Sequence, residues 1–219
     1  AESKLMSLHS FKEHYLEEAA AETVTINWGR FNPPTIGHEK LLDVSHAKGT
    51  GDHRIYATQT TDNKKNPLDW KTKIKYMRKV FPTHARMILM DKKVKTIFDA
   101  LTIAYKDGYK NIELVVGSDR VKEFTQLINK YNGTKGKHGL YDFASIKVIN
   151  AGERDPDAEG AEGMSASKMR AAASKNDLVG FTSGLPKKFR DAEALMNDVR
   201  KGMGLKEEKS FRQDIKLKK

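Results

Sequence analysis

From Thr23 onward, short β-branched or apolar runs alternate with amphipathic stretches, and that alternation leaves the chain few folds to adopt. Residues 23–28, 54–58, 86–90, 112–116 and 145–150 read as strands. Residues 112–116 are nearly all apolar, as expected of a strand buried on both faces. Helical spacing marks residues 36–46, 67–81, 94–106 and 119–130 between them, and 165–174 and 186–200 after the last strand. Pro67 stands at the start of its helix, where proline is favoured. Strands that alternate with helices join through right-handed crossovers and give a parallel sheet covered on both faces. The expected class is therefore α/β, a Rossmann-like doubly wound sheet of five parallel strands in the order 3-2-1-4-5. Ligands in such sheets bind beyond the carboxyl ends of the strands, where the strand order reverses. The chemistry should then sit just after Trp28 and just after Val116.

The 219 residues divide into an N-terminal appendage (1–21), a main domain (22–200) and a basic tail (201–219). In the appendage, Leu8, Phe11, Tyr15 and Leu16 recur at helical spacing. Cysteine is absent, which excludes disulfides, thiolate metal sites and cysteine nucleophiles and fits a reducing cytoplasm. No apolar run approaches the roughly 20 residues of a membrane span, so no membrane role is expected. The net charge of +11 points to an anionic partner, either a small nucleotide or a polynucleotide. Much of that excess lies in the tail, where a solvated charge run is the simplest account.

Gly29-Arg30-Phe31-Asn32-Pro33-Pro34-Thr35-Ile36-Gly37-His38 directly follows the first strand. Gly29 lets backbone approach closely, and Asn32-Pro33-Pro34 forces a stiff, extended path. A helix starting near Thr35 turns its N-terminal amides toward the crevice, an arrangement that attracts phosphate. Thr35 offers a hydroxyl and His38 an imidazole, with Gly37 leaving room between them. A second string, Gly163-Met164-Ser165-Ala166-Ser167-Lys168-Met169-Arg170, leads a loop into a helix that Ser165 and Ser167 can cap. Between the two, Gly117-Ser118-Asp119 follows the fourth strand, where Asp119 either bonds a ribose hydroxyl or caps its helix. Lys64-Lys65-Asn66-Pro67 and Trp70 follow the second strand; a mobile basic loop and a core aromatic are the plain readings there.

The first string resembles the GxFxPxTxGH signature of the T/HxGH nucleotidyltransferases, which include nicotinamide-mononucleotide and pantetheine-phosphate adenylyltransferases and glycerol-phosphate cytidylyltransferases. Thr35 stands where histidine is common. The second string is similar to that superfamily's ISSTxxR or SGTxxR ending, and the likeness covers residues 23–190. The resemblance implies transfer of a nucleoside monophosphate to a small phosphorylated acceptor, with release of pyrophosphate. It implies His38 and Thr35 at the α- and β-phosphates, and Arg170, Ser165 and Ser167 at the β- and γ-phosphates. Gly29, Arg30, Phe31, Asn32, Gly37, Gly117, Ser118 and Asp119 would complete the nucleotide site, and Lys65, Asn66 and Trp70 the acceptor site. Magnesium would bridge the phosphates without a fixed protein cage. ATP is expected over CTP, with nicotinamide mononucleotide as the leading acceptor.

Other readings stay open. The cytidylyltransferases offer CTP as the donor, and the basic surface suits a catalytically silent nucleic-acid-binding protein that keeps the fold. Met164-Ser165-Ala166-Ser167-Lys168 faintly echoes the lysine signature of class I tRNA synthetases, although 219 residues leave little room for an anticodon-binding domain. The N-terminal segment is similar to leaders of proteins packaged in the heads of large tailed phages, which are cut after Leu-x-Glu; Leu16-Glu17-Glu18 fits that pattern. The chain would then act in the host cytoplasm or in the virion. A plain amphipathic helix docked on the domain or on a partner is the alternative, and a homo-oligomer stays open.

Overall fold

A computed structural model describes residues 8–151 and 164–205. Four parallel strands form the sheet: β1 (Thr23–Gly29), β2 (Asp52–Ala57), β3 (Asn111–Val116) and β4 (Ser145–Asn150). Their order is β2-β1-β3-β4. The helices are α1 (Leu8–Ala21), α2 (Ile36–Lys48), α3 (Trp70–Val80), α4 (Ile97–Lys106), α5 (Val121–Tyr131), α6 (Ala166–Ser174), α7 (Leu178–Ser183) and α8 (Ala192–Gly202). The fold is thus α/β with a parallel sheet, but the sheet has four strands where five were expected.

The missing strand is residues 86–90. They lie in parallel beside β2 and touch it through a single bridge, Ile55 to Ile88. Ile55 N–H donates to Met87 O at 2.8 Å and Leu89 N–H to Ile55 O at 3.0 Å. The ladder stops there because the Met87 N–H is already spent on His84 O at 2.9 Å. On the outer side, Arg78 Nη2 takes Ile88 O at 2.7 Å, which closes that edge to further pairing. Other boundaries move as caps dictate. The helix expected from Pro67 begins at Trp70 because the Asp69 carboxylate accepts the Lys71 and Thr72 amides. The one expected from Val94 begins after Thr96, which forms a capping box with Asp99.

Two apolar cores flank the sheet. One joins Leu42, Ile55 and Ala57 to α3, α6, α7 and α8. The other joins Val24, Ile26, Ile112 and Leu114 to α4 and α5. Strand β1 alternates accordingly, with Val24 and Ile26 in the second core and Thr23, Thr25 and Asn27 on the other face. That polar face is satisfied by hydrogen bonds. Thr25 Oγ1 donates to Glu113 Oε2 at 3.0 Å, and Asn27 Nδ2 donates to Ser45 Oγ on α2 at 2.8 Å.

The register shows where the sheet opens. β1 pairs with β3 only as far as Ile26–Leu114. Beyond that point β1 continues with β2 to Gly29–Ala57, and β3 continues with β4 to Val116–Asn150. The carboxyl ends of β1 and β3 therefore part, and the Asn27 side chain spans them, donating to Val115 O at 3.2 Å.

Gly202 ends α8 against the loop before α3, and a Cβ there would collide with the Pro67 carbonyl oxygen. Backbone cannot swing away as a side chain can. Gly202→Ala, which in an open helix would stabilise by about 1 kcal/mol, should here lower the melting temperature by several degrees in a thermal denaturation scan.

Candidate functional site

The chain leaving β1 turns sharply at Phe31, whose backbone is left-handed at φ 46°. That conformation costs a bulky residue about 1–2 kcal/mol. It folds the buried ring back over Gly29, where a Cβ would lie 2.7 Å from the ring. The ring packs 4.8 Å from the His38 imidazole and edge-on to Phe81 at 6.4 Å, measured between centroids. Asn32 is buried, and its side-chain amide bonds both backbone groups of Leu68. Nδ2 donates to Leu68 O at 3.0 Å, and Oδ1 accepts the Leu68 N–H at 3.0 Å. This side-chain pair locks the loop after β1 to the loop before α3.

Thr35 caps α2. Its Oγ1 accepts the His38 N–H at 3.3 Å, and His38 Nδ1 accepts the Thr35 N–H at 3.1 Å. A ring nitrogen that accepts an amide proton carries a lone pair, so the neutral His38 ring holds its proton on Nε2. Of the first α2 amides, Ile36 donates to Gly184 O at 2.9 Å. Gly37 lies between Ile36 and His38 without a side chain. An added Cβ would meet only Thr35 Oγ1 at 3.6 Å and Met164 O at 4.0 Å, which is ordinary contact. The fold itself therefore does not require glycine at this position.

The second string arrives at the same place. Ser165 caps α6, its Oγ accepting the Lys168 N–H at 3.1 Å. Arg170 Nη1 donates to Asn32 O at 2.8 Å, across 138 residues of sequence, and Nη2 donates to Ser167 Oγ at 3.0 Å. Burial and the neighbouring Arg30 guanidinium push the Arg170 guanidinium below its ordinary pKa, with the Asp62 carboxylate opposing them. That carboxylate is committed elsewhere. Asp62 Oδ1 accepts the Lys64 and Lys65 amides at 2.9 and 2.6 Å, and Oδ2 takes the Asn66 amide at 2.5 Å. These bonds hold Asp62 well below the usual carboxylate range. The Arg30 and Arg170 charges thus act on one another beside an acid whose oxygens already accept hydrogen bonds from its own turn, an excess of positive charge that suits an anion.

The structure therefore brings together Arg30, Asn32, Thr35, Gly37 and His38 with Ser165, Ser167 and Arg170. Lys65 is exposed on the Asp62 turn, and Asn66 is buried there with Oδ1 lacking a hydrogen-bond partner. Trp70 opens α3 and packs partly buried against the first core. Gly117 and Ser118 begin a short 3-10 turn at the end of β3, on the far side of the parted strands. The Asp119 side chain and Gly163 lie outside the described residues, as do residues 1–7 of the appendage and 206–219 of the tail. Among the described residues no helix is long and apolar enough to cross a membrane. Nor, among them, are three His, Asp or Glu side chains grouped to hold a metal ion.

Sequence reasoning missed two buried groups near the strand ends. Lys73, fully buried on α3, donates to Thr58 O at 2.6 Å just after β2, and Thr58 N–H in turn bonds Gly29 O. Burial pushes its ammonium down to about 8, with Asp69 opposing. No periodicity marks it, because a lysine in a helix ordinarily reads as surface. The second group is Asn27, whose place in the strand says nothing of the hydrogen bonds it makes to Ser45 and Val115.

No family model, curated protein or solved structure matches this chain.

On the other side of Asn27, His46, His53 and His84 form a triangle with ring centroids 6.0–6.3 Å apart. His53 Nε2 meets Asn27 Oδ1 at 2.6 Å, and since the Asn27 amide nitrogen is itself donating, the ring nitrogen must donate here. His53 Nδ1 and His84 Nδ1 are buried without partners. A cavity of about 720 Å³ along β2 is lined by His46 and His53 but by none of the motif residues. Burial, then the charges of His84 and His46, push the His53 imidazole down to about 4 from 6.5. The unfolded chain thus binds a proton below pH 6.5 that the fold refuses until about pH 4. Stability from this group should be complete above pH 6.5 and be lost as the pH falls to about 4. Urea midpoints measured across that window should fall with acid, and His53→Gln should flatten the slope. An equal slope in the variant would assign the effect to other groups.

Proposed function

We propose that this chain is a nucleotidyltransferase of the T/HxGH kind, transferring a nucleoside monophosphate from a nucleoside triphosphate to a phosphorylated acceptor. The observation that carries the reading is the contact of Arg170 with the Asn32 carbonyl. The two strings that resemble the superfamily's signatures, far apart in sequence, meet at the carboxyl end of β1. Around that contact lie the N-termini of α2 and α6, a histidine with Nε2–H as its donor, and two arginines, which together suit a polyphosphate.

In the proposed reaction an acceptor phosphate oxygen attacks the α-phosphorus in line. The bond from that phosphorus to the β-bridging oxygen breaks, and pyrophosphate leaves with the electron pair. The acceptor phosphate is already ionised, so no general base is needed. The protein's part is to position the reactants and stabilise charge. His38 Nε2–H donates to an α-phosphate oxygen, Arg170 and Arg30 hold the β- and γ-phosphates, and Lys65 reaches the acceptor phosphate. Magnesium, when bound, would supply charge neutralisation between phosphate oxygens. The nearby Asp62 has both oxygens engaged, so the ion would ride on phosphate and water. ATP is the favoured donor and nicotinamide mononucleotide the favoured acceptor, with CTP as the alternative donor. A pyrophosphate-release screen of the four common triphosphates against a panel of phosphorylated acceptors tests this. Release from ATP with nicotinamide mononucleotide is expected, and release with no pairing would overturn the assignment.

Two variants separate a ligand site from a merely structural one. Because nothing in the fold crowds Gly37, Gly37→Ala should raise stability by about 0.5–1 kcal/mol while weakening triphosphate binding at least tenfold. Unchanged binding would show that no ligand approaches this helix. Arg170→Lys keeps the charge but loses the two-pronged grip. It should raise the triphosphate KM and lower kcat without changing acceptor affinity measured alone. Lost thermal stability with normal kinetics would instead give Arg170 a packing role.

A further inference from the structure

The interval between α5 and β4 is rich in lysine and glycine, and the candidate site makes no use of it. In the fold its rings come together with a ring from a distant helix. The His138 imidazole stacks on Phe98 of α4, with centroids 5.5 Å apart and planes 18° from parallel. Tyr131, at the end of α5, stands edge-on to the same Phe98 ring at 5.5 Å. His138 Nδ1 is 3.2 Å from Asp99 Oδ1, and Asp99 Oδ2 accepts the Lys95 N–H at 3.0 Å, so the loop before α4 is joined to the same cluster. Tyr131 is 39% exposed and the His138 side chain 44%. The exposed lysines Lys93, Lys95, Lys130, Lys135 and Lys137 lie on the segments that carry these rings. Lys130 Nζ sits 5.6 Å over the Tyr131 ring. The acid at the centre, Asp99, is taken up by Thr96, the Lys95 amide and His138.

We propose that this face docks a single-stranded polynucleotide, whose bases stack on the exposed rings of Tyr131 and His138, backed by the partly buried Phe98, and whose phosphates meet the surrounding lysines. Exposed rings beside cations suit unpaired bases, because a duplex keeps its base faces inside the stack. An acidic peptide would match the lysines but would leave the rings without π-faced partners. Stacking and phosphate contact do not read the sugar, so DNA and RNA should bind alike. The inference is independent of the nucleotidyltransferase reading, since none of these residues belongs to that site.

Fluorescence anisotropy with labelled oligo-dT and oligo-U of about 15 nucleotides, titrated with the full chain, tests it. Both should bind with similar affinity, and a duplex of the same length should bind more weakly. Tyr131→Ala should weaken binding about fivefold or more. Removing Lys135 and Lys137 together, as alanines, should reduce the slope of log affinity against log salt by about 1.4. The matched change at Lys187 and Lys188, exposed between α7 and α8, should leave affinity unchanged. The proposal fails if no oligonucleotide binds at low salt. It also fails if the Lys187/Lys188 variant weakens binding as much as the Lys135/Lys137 variant, which would mean attraction to net charge alone. Equal competition by poly-glutamate would likewise overturn it in favour of an acidic protein partner.

Discussion

Asn32 joins three parts of the fold that the sequence keeps apart. Its side chain pairs with both backbone groups of Leu68, and its carbonyl receives the Arg170 guanidinium. The loop after β1, the loop leading to α3 and the start of α6 are thereby fixed to one residue. A buried amide with both ends satisfied is worth more than an exposed one, because losing either partner leaves a desolvated group behind. The geometry of the candidate site follows from this clamp. It holds the loop that leads to the Thr35 cap of α2 and fixes one arm of the Arg170 guanidinium.

The second constraint is electrostatic. Close to the carboxyl ends of β1 and β2 lie Arg30, Arg170 and the buried Lys73, while Asp62, whose charge acts on Arg170, has its oxygens engaged by its own turn. Of the three, Arg30 is exposed, Arg170 half-buried and Lys73 fully buried. This excess of positive charge is what the proposed polyphosphate would answer. Beside it the sheet opens between β1 and β3, where the ladder ends at Ile26–Leu114 while each strand runs on with its other neighbour. Asn27 prevents the gap from widening by bonding Val115 O and Ser45 together.

Much of the architecture was legible in the sequence because the hydrophobic period switches cleanly between strand and helix. Four expected strands and the position of the sheet's opening follow from that pattern. Residues 86–90 carry the same pattern yet form one bridge, because the Met87 amide is captured by a turn that no periodicity reveals. The strings around His38 and Arg170 stood out as unusual runs, but their meeting depends on a carbonyl, and carbonyls leave no mark in a sequence. Lys73 and the three-histidine triangle were invisible for a related reason. Lysine and histidine in a helix or strand read as surface until the packing around them is known. The Asn32 side chain holds Leu68 through both of its ends, a pairing that no local pattern in the sequence marks.

The central claim is that the N-termini of α2 and α6 hold one polyphosphate between them. Hydrogen–deuterium exchange with and without MgATP addresses it directly. The account predicts slowed exchange at residues 36–39 and 165–170 together, with α5 unchanged. Protection of only one of these segments at saturating nucleotide, or of neither, would contradict it.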